Sequence, residues 1–234
     1  MFEGFTERTG SFLWELAFNN ERPWFQAHKT EFEEYVNTPF KALARECCEL
    51  MLRRFPELDC ELHISRIYRD ARRLFGRGPY KDHLWFSIKA DRGCEGPMFW
   101  FELGAADYSY GMGFYSATPE QMEAFRRSID ANPERFRRLA QGALHRGYKL
   151  EGEAYKRPKK LCGDELIDSW YNLKRAGLEK SFDLGGDTFS AELPRILADA
   201  FAGLMPMYEF FMEIYRAFPS ERRAVRRRAD NAAE

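Results

Sequence analysis

Residues 97–115 read Pro-Met-Phe-Trp-Phe-Glu-Leu-Gly-Ala-Ala-Asp-Tyr-Ser-Tyr-Gly-Met-Gly-Phe-Tyr. Two runs of alternating side chains flank Gly104-Ala105-Ala106-Asp107, the pattern of two half-buried strands joined by a tight connection. A loop over 104–107 sets Leu103 opposite Tyr108, Phe101 opposite Tyr110 and Phe99 opposite Met112. That face is a continuous apolar layer, and such a layer must be covered by other elements. The other face sets Glu102 against Ser109, Trp100 against Gly111 and Met98 against Gly113. Glycine inside a strand marks a bulge or a close approach by another group. Either Trp100 lies over Gly111 and fills the gap, or the two glycines leave room for a ligand.

Working outward, segments 62–70 and 83–90 before the hairpin and 178–183 after it share its alternation and aromatic content. The flanks carry a helical period instead. Phe12, Leu13 and Leu16 predict a helix over 10–18. Asn20 is placed to cap a second helix reaching Asn37, striped by Trp24, His28, Phe32 and Tyr35. Pro39 opens a third, which stops before Pro56. Thr118-Pro119 and Asn132-Pro133 each announce a further helix, 164–174 reads as a short one, and 192–218 as a long one bent at Pro206. The expected fold is therefore a single α+β domain over 1–218. Its antiparallel sheet has about four to six strands, with helices packed mainly on one face. Residues 219–234, with Arg222, Arg223, Arg226, Arg227 and Arg228, are expected to be a basic, frayed tail.

Composition narrows the function classes. The 234 residues are 44% hydrophobic and 16% aromatic, which excludes general disorder. A formal net charge of -1 argues against nucleic-acid or membrane binding driven by overall charge. No apolar run of transmembrane length is present and the start lacks the layout of a signal peptide, so a cytoplasmic protein is expected. Cys47, Cys48, Cys60, Cys94 and Cys162 are odd in number and irregularly spaced, which reads as free thiols with no metal site.

The near-zero total conceals a local imbalance. Residues 1–62 hold seven bases against twelve acids, while 63–92 hold eight bases against three acids. In the basic segment, Arg66 and Arg69 differ by three positions and point to opposite faces of a strand. Gly76 and Gly78 free the following loop to present backbone N–H groups, and Lys81 adds a point charge. Guanidinium groups suit bidentate contact with carboxylate or phosphate. Ser65, Arg66, Arg69, Asp70, Arg72, Tyr80, Lys81 and His83 are accordingly the candidate residues for binding an anionic small molecule. No catalytic residue or cofactor is assigned. Ser65 lacks a nucleophile elbow, and no P-loop, dinucleotide fingerprint or H-E-x-x-H occurs. Asp70, Asp82, His83 and His28 are general-base candidates by residue type alone.

Ser65-Arg66-Ile67-Tyr68-Arg69-Asp70 followed by Arg72, with Pro79-Tyr80-Lys81 before His83, resembles the signature of the domain-of-unknown-function family 2461. Phe2-x-Gly4-Phe5, Phe12-Leu13-x-x-Leu16, Asn19-Asn20, Trp24-Phe25 and Lys29 are similar to that family's opening. Arg126, Ile129 and Arg157-Pro158-Lys159 fit it as well. Arg73-Leu74-Phe75-Gly76-Arg77 stands where many members carry a Phe-Ser-Lys-Asp-like run. The resemblance implies a single α+β domain and no established reaction.

Two other readings compete with the anion site. A protein- or nucleic-acid-contact module would use a basic face formed by Arg135, Arg137, Arg138, Lys156, Arg157, Lys159, Lys160 and the tail. Alternatively the arginines are structural and pair with Glu31, Glu33 and Glu34 of the N-terminal helices.

Overall fold

The structure is a computed structural model that describes residues 1–58, 60–70, 72, 76–89 and 96–217. Its helices are α1 (Glu7–Phe18), α2 (Arg22–Ala27), α3 (Lys29–Phe32), α4 (Thr38–Arg54), α5 (Pro119–Ala131), α6 (Pro133–His145), α7 (Glu165–Tyr171) and α8 (Leu193–Ala217). The strands β1 (Glu61–Ile64), β2 (Leu84–Lys89), β3 (Pro97–Leu103), β4 (Asp107–Phe114), β5 (Lys149–Glu151) and β6 (Gly177–Asp183) form one antiparallel sheet in the order β1-β2-β3-β4-β6-β5. This is the expected α+β, single-sheet class. The predicted basic tail lies outside the described residues.

At the hairpin, the Gly104 N–H donates to the Asp107 carbonyl at 2.8 Å. This bond closes the connection over 104–107 that the sequence predicts, and β3 and β4 are neighbours in the sheet. Gly113 is explained by backbone. A Cβ at that position would lie 2.5 Å from the Gly177 Cα and 2.7 Å from the Ala176 carbonyl oxygen. Close approach of the β6 backbone, not space for a ligand, accounts for this glycine.

Two compact units emerge, each discontinuous in sequence. The first comprises Met1–Ala90, Phe99–Gly111 and Lys180–Gly203. In it, Phe40 of α4 packs against Phe86 of β2 at 5.9 Å and Phe101 of β3 at 6.1 Å, while Phe99 stacks on Phe201 of α8 at 5.0 Å. The second comprises Asp91–Met98, Met112–Glu179 and Leu204–Glu234. Its core is an edge-to-face aromatic cluster, with Phe136 5.6 Å from Phe125 and 5.3 Å from Trp170, a favoured arrangement for ring quadrupoles.

Several boundaries differ from the sequence reading. The segment 62–70 leaves the sheet after Ile64, because the Ser65 hydroxyl takes over the next ladder position by accepting from the Trp85 N–H at 2.9 Å. The predicted second helix is split into α2, α3 and a π-helical turn at Glu33–Asn37. Phe25, Phe32 and Val36 are its buried residues, while Tyr35 is only half-buried. β5 falls in a stretch read as a basic loop; at three residues it is too short to show a period. The long helix read over 192–218 is α8, which contains Pro206 as expected. The helix starts of α5 and α6 are as expected. Thr118 and Gln121 exchange side-chain-to-backbone hydrogen bonds, and Asn132 Oδ1 accepts from the Arg135 N–H.

Candidate functional site

After Ser65 the chain makes an excursion that returns at Tyr80. Tyr68 and Tyr80 form an isolated bridge, the Arg69 N–H donates to the Pro79 carbonyl at 2.8 Å, and the Lys81 N–H donates to the Ile67 carbonyl at 2.7 Å. Asn20 locks the return. Its Oδ1 accepts from the Tyr80 N–H at 2.9 Å and its Nδ2 donates to the Tyr80 carbonyl at 3.0 Å. Asn20 therefore does not cap α2; Glu21 occupies that position. A Cβ at Gly78 would collide with the Asn20 side chain, which explains glycine there. The Tyr80 ring is buried and stacks on Phe25 at 4.2 Å.

The predicted site residues divide sharply under this geometry. Arg69 is turned onto its own chain: its Nε donates to the Tyr80 carbonyl at 2.7 Å and Nη2 lies 3.5 Å from Asp82 Oδ1. The Tyr80 carbonyl thus accepts from both Arg69 and Asn20. Arg72 makes a two-pronged pair with Asp70, at 3.0 and 2.7 Å, fully at the surface. Asp82 accepts from or bonds to His83 Nδ1 at 2.9 Å. Burial alone would raise the Asp82 carboxyl, but the His83 hydrogen bond and the Arg69 charge bring it below the ordinary carboxylate value. Ser65, Arg69, Asp70, Arg72, Tyr80 and His83 thus all carry bonds or packing within the chain.

Arg66 and Lys81 do not share this fate. Register sets His63 directly opposite Ser87, and alternation puts Trp85, Ser87 and Lys89 on the sheet face turned away from Phe86 and α4. On that face the His63 ring lies 5.1 Å from Trp85, and Lys81 Nζ lies 5.9 Å from the same indole. Among the described residues, neither Arg66 nor Lys81 has an ion-pair partner within 4 Å. The Lys81 ammonium is pushed down by burial first and by the Arg69 charge next; Glu102 opposes the shift and Arg66 adds to it. The His63 imidazole is pushed down by burial and then by Lys89, with Glu61 opposing and Lys81 and Arg66 adding. Ser87 is 1% exposed and its hydroxyl has no hydrogen-bond partner among the described residues. Trp85 and His63 were not singled out by the sequence. Their two-residue offsets from Ser87 and Ser65 were the available signal.

The competing readings can be placed on the same structure. Glu31 pairs with Arg8, and Glu33 accepts from Asn37 at 2.6 Å, so neither meets the basic segment. Arg135 forms a two-pronged pair with Glu213, Arg137 meets Asp164 at 2.6 Å and Lys160 meets Asp130 at 2.6 Å. Arg135, Arg137 and Lys160, three of the seven residues named for the basic face ahead of the tail, are thereby neutralised locally. His28 stacks on Trp24 at 4.2 Å, with Nδ1 bonded to the Trp24 carbonyl. Among the described residues, no group of three His, Cys, Asp or Glu side chains is arranged to hold a metal ion. Cys47, Cys48, Cys60 and Cys162 form no disulfide among the described residues; Cys94 lies outside the described residues. No helix among the described residues is long and apolar enough to cross a membrane.

The fold and this face define a class: a one-sheet α+β protein in which an arginine-rich return segment is clamped by an N-terminal asparagine. Residues 8–210 match the family described as Conserved hypothetical protein (DUF2461), and the chain belongs to that family. No curated protein matches the chain.

Proposed function

We propose that this protein binds a small anionic molecule, through a carboxylate or phosphate group, on the sheet face around Trp85. Lys81 and Arg66 supply the charge, His63 a ring nitrogen, and Trp85 an apolar wall. The carrying observation is that Lys81, half-buried beside two guanidinium groups, has no ion-pair partner among the described residues. A cation in that setting is completed by an anion. The other predicted residues then act by position. Arg69, Tyr80 and Asp82 fix the backbone at Lys81, and the Asp70–Arg72 pair closes the exposed turn.

The test is calorimetric titration with inorganic phosphate and with malonate. Wild-type protein is expected to bind one of them saturably, and Lys81→Met to weaken binding about tenfold, the value of one charge-assisted contact. Arg72→Ala, already paired with Asp70, is expected to leave affinity unchanged. Equal affinity in wild type and Lys81→Met would remove the reading.

A further inference from the structure

α5 carries an arginine on its buried side. Met122, Phe125, Arg126 and Ile129 fall on one stripe, and all four are buried. Arg126 is 3% exposed. Its guanidinium is held between aromatic rings, 5.7 Å from the Tyr155 centroid and 6.0 Å from that of Tyr171. Of its donors, Nη1 bonds the Met122 carbonyl at 3.1 Å. Among the described residues, the buried Nε has no hydrogen-bond partner and Nη2 makes no hydrogen bond. The nearest carboxylate, Glu123, stands 3.6 Å from Nε, beyond hydrogen-bond range. Its side chain is 57% exposed, so it offers little compensation for a buried charge. The Tyr171 hydroxyl donates to Asp130 at 3.0 Å, and its ring, not its oxygen, faces the guanidinium.

This guanidinium lines a cleft of about 470 Å³, together with Pro119, Glu120, Glu123, Arg127, Tyr155 and Lys159. That is the size of a small-molecule site. The Lys159 ammonium lies 4.8 Å from the Tyr155 ring centroid and has no ion-pair partner among the described residues. A buried cation with unmet donors on its Nε–Nη2 edge, a second cation at the rim and an aromatic wall between them are the parts needed to hold one oxyanion.

We infer that this cleft is a second small-molecule site, which takes a ligand bearing a single carboxylate or phosphate group anchored by Arg126. Lys159 closes over the oxyanion and Tyr155 packs against the body of the ligand. Glu120 and Glu123, on the same helix face, repel further negative charge. The site therefore prefers a monoanionic or zwitterionic ligand to a polyphosphate.

The experiment is calorimetric titration of the full chain in a Lys81→Met background, where binding around Trp85 is weakened about tenfold and does not respond to substitutions at Arg126 or Lys159. The probes are acetate, inorganic phosphate and pyrophosphate. Acetate or phosphate is expected to bind saturably and pyrophosphate more weakly. Arg126→Met is expected to weaken binding by about tenfold or more, and Lys159→Met by about threefold. Glu123→Gln is expected to tighten it severalfold. Absence of saturable binding by acetate and phosphate would overturn the inference. So would tighter binding of pyrophosphate than of phosphate. If Arg126→Met fails to fold, the exposed variants Lys159→Met and Glu123→Gln decide, and unchanged affinity in both rejects the site.

Discussion

The excursion from Ser65 to Lys81 and the stripe on α5 treat arginine in opposite ways. In the excursion guanidinium groups are numerous, yet Arg69 and Arg72 are satisfied by the adjacent carbonyl of Tyr80 and the carboxylates of Asp70 and Asp82. On α5 a single guanidinium is buried between two tyrosines and leaves donors unmet. Arginine density therefore does not by itself mark a ligand site. Short-range acids and turn carbonyls absorb clustered arginines: Arg72 stays at the surface, and Arg69, though mostly buried, is met by a carbonyl and a carboxylate. An arginine at an apolar stripe position is costly to the fold, and such a cost points to use.

Four substitutions would break or sharpen this contrast. The largest effect is expected where the excursion meets the core. Tyr80→Ala removes a buried ring stacked on Phe25 and should destabilise by about 3–5 kcal/mol, seen as a lower midpoint in urea. Asn20→Ala comes next. It strips both bonds from the Tyr80 peptide and should cost about 2–3 kcal/mol, with Lys81-dependent anion binding lost along with it. If Asn20→Ala is silent, the excursion is not held as described.

Arg126→Met should act in the other direction. An apolar side chain of similar length relieves a poorly compensated buried charge and should be neutral or stabilising by about 1 kcal/mol, read as an unchanged or raised Tm. A large loss of stability would mean that the Met122 carbonyl bond and the tyrosine contacts outweigh desolvation, and the contrast with the excursion would fail. The smallest effect belongs to the exposed Asp70–Arg72 pair, where Arg72→Ala should change stability by less than about 0.5 kcal/mol.

A pH series adds a fourth comparison within the excursion. The folded Asp82 carboxyl sits below its ordinary value of 3.8. Its contribution to stability is therefore present above that value and is lost as pH falls through the lower folded value. Asp82→Asn should lower Tm slightly at pH 7, and the gap to wild type should close as pH falls through the lowered folded value. A gap that persists at lower pH would assign the effect to packing instead of charge. The effect is small because half of the side chain is exposed.

The hairpin at 97–115 was legible because alternation, turn residues and an apolar face all agreed. The starts of α5 and α6 were legible for the same reason, since Thr118-Pro119 and Asn132-Pro133 state their caps locally. The strand over 62–70 was misjudged because Ser65 and Asn20 replace ladder partners with side chains. Side-chain capture of a backbone group leaves no periodic trace. Asn20 itself looked like a helix cap, since short polar residues before a helix usually are, and its partner at Tyr80 lies sixty positions away. Charge counting singled out the segment that carries the proposed site. Which cations remain unpaired depended on register and on turn carbonyls, and neither is written in residue spacing. Arg126 did leave a mark, as the one base on the stripe of Met122, Phe125 and Ile129.

The two bonds from Asn20 to Tyr80 also bear on the order of folding. Contacts across so long a separation carry a closure entropy that local turns do not. Tyr68 and Tyr80 can meet early as neighbours in a short loop, but the peptide that precedes Lys81 is fixed only when the chain around Asn20 docks. Anion binding should therefore appear after most secondary structure has formed, as a late step in refolding. A phase in ligand-detected refolding of the wild-type chain that lags the recovery of far-ultraviolet ellipticity would be its kinetic signature.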